Sequence, residues 1–135
     1  MSRTTKCGAA TRHGRLIKAV RFLEQAEVVL AMADDDAEVA DPAVTLLIHA
    51  GIAASDALCC AQLGEHARGE SHDDAVGLLR TVDKSLADDL HVLLGMKAQA
   101  GYSAQQTSAQ NLIRATRAAR RLVTAARTTC GLGLV

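Results

Sequence analysis

The sequence predicts an all-α bundle of four long helices and one short one, and three observations carry that expectation. The 135 residues are 49% apolar, yet the only aromatic side chains are Phe22 and Tyr102, so the core must be built from Ala, Leu, Val and Ile. Ala and Leu are strong helix formers, whereas strands favour aromatic and β-branched residues. The chain carries a single proline, Pro42, and its apolar residues recur at helical rather than alternating spacing. The length suits one domain, large enough to bury a core without staples and too short for two of ordinary size.

The first helix is expected over 11–32, where Leu16, Val20, Leu23 and Leu30 form a stripe that Ile17 and Val28 widen. Asp34, Asp35 and Asp36 then end it in a solvated loop whose spacing is not that of a calcium loop. Asp41 followed by Pro42 reads as a cap and first turn, opening a second helix over 42–63. That helix is apolar nearly all round and rich in small residues, which marks the most buried rod of the bundle or one that also faces a second protomer. Gly64 ends it, and the polar segment EHARGES follows. Ser71 caps a short helix over 72–81, with Asp73 and Asp74 in the first turn. The next helix spans 85–100 with Leu86, Leu90, Leu93 and Leu94 inward, and Gly101 with Tyr102 breaks it. Ser103 and Gln106 have capping-box spacing and open a last helix over 103–127. Its inner stripe is Ala109, Leu112, Thr116, Ala119, Val123 and Ala126, and Arg114, Arg117 and Arg121 form an outer basic face. Residues 1–10 and 128–135 are expected to be flexible, flanking a helical domain over 11–127.

A net charge of zero conceals a strong segregation. Residues 1–22 carry six cations and no acid, residues 90–135 carry six cations and no acid, and all 15 acidic residues lie between Glu24 and Asp89. Neighbouring first and last helices would then give one basic side, suited to phosphate or an acidic partner, or to complementary charge between helices or protomers. The richest apolar run, 42–63, is interrupted by Thr45, His49, Ser55, Asp56 and Gln62, so no membrane span is expected. The basic N-terminus lacks the apolar core of a secretory signal, which points to the cytoplasm. Cys7, Cys59, Cys60 and Cys130 have neither CxxC nor metal-finger spacing, and in a reducing compartment they read as small buried or incidental thiols.

On the second helix Thr45, His49 and Asp56 share one face of an apolar rod. A carboxylate there needs a cation or several donors, or takes up a proton; His72 and Lys97 are the expected neighbours of Asp56, unless this face is simply solvated. A phosphate-binding glycine loop, HExxH and GxSxG are all absent, and His13, His49, His66, His72 and His91 have no metal-ligand spacing. No metal or other cofactor is therefore expected.

Three segments carry a family resemblance: LLIHAGIAASDALCCAQLGEHARGESHDDAVGLL at 46–79, LHVLLGMKAQAGYS at 90–103 and NLIRATRAARRLV at 111–123. Together they resemble the HEPN superfamily, particularly its small actinobacterial members, over 15–126. The resemblance implies an up-and-down bundle, commonly dimeric. Many members are ribonucleases of toxin–antitoxin or antiphage systems that use an Arg, four to six residues, then a His, and some work beside a small nucleotidyltransferase. The matching element here is Lys97, four residues, then Tyr102. An unperturbed Tyr has a pKa of about 10 and moves a proton poorly near neutrality, whereas a His does so readily. Lys97 can still hold a phosphate as a point charge, and Tyr102 can stack on a base.

The resulting expectation is a module with a degraded nuclease motif, a homodimer that binds a nucleotide, RNA or a protein partner through Asp56, His72, Lys97 and Tyr102. A metal-independent ribonuclease toxin, with Lys97 and Tyr102 catalytic and His72 as helper, is the enzymatic alternative. A purely structural or antitoxin-like protein is the third. The pair Arg68 and His72 lies in a different loop with three residues between, which departs from the family's spacing.

Overall fold

A computed structural model of the chain describes residues 3–69 and 71–131. Its elements are β1 (Thr4–Lys6), α1 (Ala9–Met32), α2 (Asp36–Leu63), β2 (Glu65–Ala67), α3 (His72–Arg80), α4 (Lys84–Gly95), α5 (Lys97–Tyr102) and α6 (Ala109–Thr129). The fold is all-α, with the two three-residue strands as a small antiparallel ribbon.

The 28-residue α2 is the axis of the protein. α1 packs along its length, α6 covers a second side, and α3, α4, α5 and β2 close the rest. Val44, Leu47, Ala50, Ala54 and Ala57 are fully buried along it. By length and composition α2 could cross a membrane, but 72% of its most apolar window is buried inside the protein, the position of a core helix. Gly51 marks a close approach to two neighbours. A Cβ built there would lie 2.3 Å from Leu93 Cδ1 on α4 and 3.3 Å from Leu122 Cδ1 on α6.

The start of α2 differs from the sequence expectation. Asp35 is the cap, accepting a hydrogen bond from the Ala37 amide at 3.0 Å, and Pro42 sits inside the helix. The Asp cluster thus contributes the first turn rather than a long loop. Asp41 instead reaches the segment before α6, where its Oδ1 accepts from the Thr107 amide at 2.9 Å and from the Thr107 hydroxyl at 2.6 Å. This clamp explains why α6 begins late. Gln106 donates to the Ala37 carbonyl. The Ser103 hydroxyl accepts from the Gln105 amide at 3.1 Å, and Ser108 caps α6 by accepting from Asn111. Residues 103–108 form a strap tied to the opening turns of α2, so the capping box at Ser103 and Gln106 does not form.

The helix expected over 85–100 is divided at Met96. Its amide bonds the Leu93 carbonyl at 3.0 Å, a three-residue closure that tightens the turn, and its side chain is buried. The turn starts α5 at Lys97. Along α1, Leu16, Ala19 and Ala26 are buried while Val28 is half exposed, so Val28 does not belong to the inner stripe.

Residues 4–7 are tied down rather than loose. Thr4, Thr5 and Lys6 pair with Ala67, His66 and Glu65, the Cys7 amide donates to the Gly64 carbonyl at 3.0 Å, and Cys7 is disulfide-bonded to Cys60. Two of the four cysteines are therefore not unpaired thiols. Cys59 and Cys130 are free, and burial pushes the Cys59 thiol up to about 11. At the other end α6 continues through Thr129, two residues past its expected limit, and 132–135 of the expected flexible tail lie outside the described residues.

Two substitutions test this packing by urea denaturation. Gly51→Val forces Leu93 and Leu122 out of their rotamers and is expected to cost about 2–3 kcal/mol, the scale of an overpacked core. Thr107→Val removes one buried hydroxyl donor from Asp41 and is expected to cost about 1–2 kcal/mol.

Candidate ligand-binding cleft

Of the polar side chains on one side of α2, Thr45 bonds its own helix, whereas His49 and Asp56 both meet α1. The Thr45 hydroxyl donates to the Asp41 carbonyl at 2.9 Å. His49 is exposed and stacks on Phe22 of α1, with ring centroids 5.3 Å apart. Asp56 receives Arg15 of α1, whose Nε and Nη2 both lie 2.9 Å from Oδ2. Its other oxygen faces His66 Nδ1 at 3.9 Å. The cation expected from His72 or Lys97 is thus supplied by Arg15, from the basic N-terminal segment. The Asp56 side chain is only 15% exposed, and burial outweighs the attraction of Arg15 and His66, so its carboxyl is pushed above the ordinary Asp range.

Two adjoining depressions share Lys97. The first, about 430 Å³ with its open mouth included, is lined by Ser55, Asp56, Gly69, Ser71, His72 and Lys97 over an apolar floor of Ile52, Ala75, Leu90 and Leu94. The second, about 480 Å³ on the same measure, is lined by Thr45, Ile48, His49, Lys97, Gly101 and Tyr102. The turn at Met96 sets Lys97 at the head of α5 between them. Gly69, in left-handed backbone at φ +87°, turns the connection that brings Ser71 and His72 to the rim. Asp56, His72 and Lys97 thus border one cavity, and Tyr102 borders its neighbour across Lys97. Tyr102 is 84% exposed, and His72 is also exposed. The arrangement offers a cation, two imidazoles, hydroxyls and an aromatic face around an apolar floor, the general make-up of a small-ligand site.

The basic outer face of α6 lies elsewhere and is partly neutralised. Arg121 makes a two-point contact with the buried Asp89 of α4, Nη2 to Oδ1 at 2.6 Å and Nε to Oδ2 at 2.9 Å. Arg120 pairs with Glu27 of α1 at 2.8 Å. Arg114 donates to Asn111 and borders a separate depression with His91, and Arg117 is exposed. Arg114, Arg117 and Arg121 therefore do not join the Lys97 cleft. Arg15, His49 and Ser71 were not among the site residues read from the sequence. The missing cation for Asp56 was the signal that pointed to an Arg15-type partner, while Ser71 was visible only as a cap and serves as both cap and rim.

These features define an all-α helical bundle with a polar cleft beside its central helix. No protein-family model matches the chain, and no curated protein matches it significantly.

The Arg15–Asp56 contact should respond asymmetrically to mutation. Arg15→Met strands a largely buried carboxylate and is expected to cost about 1–3 kcal/mol, whereas Asp56→Asn leaves a guanidinium that reaches water and is expected to cost less than about 1 kcal/mol. The folded carboxyl holds its proton to higher pH than an unfolded Asp. Its contribution to stability is therefore full below the unfolded Asp pKa and is lost as pH rises through the raised folded value. Stability of the parent relative to Asp56→Asn should fall over that window in denaturation curves recorded as a function of pH.

Proposed function

We propose that this protein is a HEPN-like binding module that takes a nucleotide or a single-stranded RNA segment at the Lys97 cleft without cleaving it. The observation that carries this reading is the position of Lys97, shared by a pocket containing Asp56, Ser71 and His72 and by a second containing His49 and Tyr102. Among the described residues Lys97 has no anionic partner, so its ammonium is available to a phosphate. Tyr102 presents a ring on which a base can stack, and Ser71 and His72 can hydrogen-bond a sugar or base edge. The carboxylate of Asp56 is engaged by Arg15, which limits its repulsion of a phosphate.

The second reading, a metal-independent ribonuclease, gains support from one observation: His72, from a different loop, borders the same cavity as Lys97. An imidazole is the side chain most often used as a general acid or base. A homodimer accompanies both readings. The exposed Val28 and Met32 near the end of α1 offer it an apolar contact, and the cytoplasm is the proposed compartment.

Titration of labelled single-stranded RNA and of free nucleotides tests the binding reading. Lys97→Ala is expected to weaken binding at least about tenfold and to flatten its salt dependence, because one fewer counterion is released. Tyr102→Ala is expected to weaken it by about 5- to 100-fold, the range of a lost base stack. Unchanged affinity in both variants would sink the proposal. RNA cleavage in the presence of a chelator, abolished by His72→Ala with binding retained, would replace it with the nuclease reading.

A further inference from the structure

We infer that, once the Cys7–Cys60 disulfide is reduced, the two thiolates and the His66 imidazole form a binding site for a zinc-like divalent ion where β1, α2 and β2 meet. This site shares no ligand with the Lys97 cleft, although Asp56 borders both, and the inference stands independently of the proposed function.

One ligand atom from each of Cys7, Cys60 and His66 lies within 4.8 Å of the other two. They come from three places in the fold: Cys7 directly follows β1, Cys60 lies in the last turn of α2, and His66 is the middle residue of β2. Two sulfurs and an imidazole nitrogen are the donor set preferred by borderline ions such as zinc, with a fourth position left for water. A disulfide by itself has no need of a third donor.

The tautomer of His66 is suited to the role. Its Nδ1 lies 2.7 Å from the Ala67 carbonyl, which can only accept; in the neutral tautomer that donates there, Nε2 is the nitrogen left to ligate. A ligating imidazole whose other nitrogen donates to a backbone carbonyl is the usual outer support of a zinc site. The Asp56 carboxylate, 3.9 Å from the same Nδ1, adds negative charge on the side away from the lone pair.

The scaffold is held by bonds that reduction leaves intact. The Cys7 amide donates to Gly64, the Arg68 amide donates to the Arg3 carbonyl, and Thr5 stays opposite His66. The Cys7 and Cys60 Cα atoms are 5.8 Å apart. Tetrahedral zinc with sulfurs at about 2.3 Å needs them about 3.8 Å from one another, a separation reached by side-chain rotation alone. The exchange balances simply. A dithiol reduces the Cys7–Cys60 bond and leaves as its own disulfide, transferring two electrons and two protons to the protein sulfurs; the incoming ion then displaces the two thiol protons.

Cobalt(II) and zinc added to the full chain test the inference. Protein reduced with a dithiol and desalted without air is expected to bind one cobalt, with thiolate-to-metal charge-transfer absorption and the visible bands of a tetrahedral ion, and zinc should displace it. The oxidised protein should show neither. Cys7→Ser, beside the terminus and outside the core, should abolish the charge-transfer signature, His66→Ala should weaken binding at least tenfold, and Cys130→Ser should leave it unchanged. The inference is overturned if the reduced chain takes up no ion, if Cys7→Ser or His66→Ala binds as the parent does, or if the disulfide resists a dithiol in the folded protein.

Discussion

An apolar helix 28 residues long cannot be left in water, and covering α2 is the constraint on which the other elements depend. Nearly all of its circumference is lined with small or branched aliphatic side chains, so α1, α6 and the α3–α5 segment must approach from different directions. Gly51 permits a close approach of this kind, where Leu93 of α4 and Leu122 of α6 both press on the α2 backbone. Each fully buried Leu along these contacts contributes about 1.5–3 kcal/mol. With so few aromatic side chains, many small contacts have to do what a few large ones do elsewhere, and close helix spacing is the only way to make them.

Covering α2 also decides where polar chemistry can survive. The face of α2 that carries Thr45, His49 and Asp56 is sealed less completely than the rest, and the cleft forms there. The segregated charges are drawn into the same arrangement. Arg3, Arg15, Arg120 and Arg121, from the two basic ends of the chain, pair with Asp74, Asp56, Glu27 and Asp89 of the acidic middle. Exposed pairs of this sort contribute little individually. Their effect is on register: a bundle of Ala-rich helices with interchangeable surfaces gains a preferred set of neighbours when every terminal segment is basic and every middle one acidic. Arg121 reaching the buried Asp89 is the strongest instance, because a two-point contact fixes both rotation and height of α6 against α4.

The helices and their buried faces were legible because period and composition act locally. Thus α2 stands out as the core rod, α3 follows its Ser71 cap, and Leu112, Ala119, Val123 and Ala126 turn inward. What escaped the sequence depends on contacts far along the chain. Asp41 and Pro42 carry the pattern of a helix start, but Thr107 claims the Asp41 carboxylate and Asp35 takes the cap. Ser103 and Gln106 have capping-box spacing, yet Gln106 is drawn to Ala37. Cys7 and Cys60 are 53 residues apart and show no spacing rule; the packing of α1 on α2 and the pairing of β1 with β2 bring them together. The gathering of Asp56, His72 and Lys97 at one cavity depends in turn on the Met96 turn and on Gly69, and neither shows in a helical periodicity.

The Cys7–Cys60 bond makes a ring of the first half of the molecule, since both α1 and most of α2 lie between its ends. By chain-entropy reasoning a loop of that size, closed in the unfolded state, removes about 4 kcal/mol of disorder that folding would otherwise have to overcome. It also changes what a single backbone cut can do. A protease that nicked the three-residue link at 33–35 would produce two pieces that remain one covalent object, with the helical hairpin still held at its far end. Cys7 thereby becomes a structural closure of the bundle, and removing it would open that ring while leaving the packing of α1 on α2 in place.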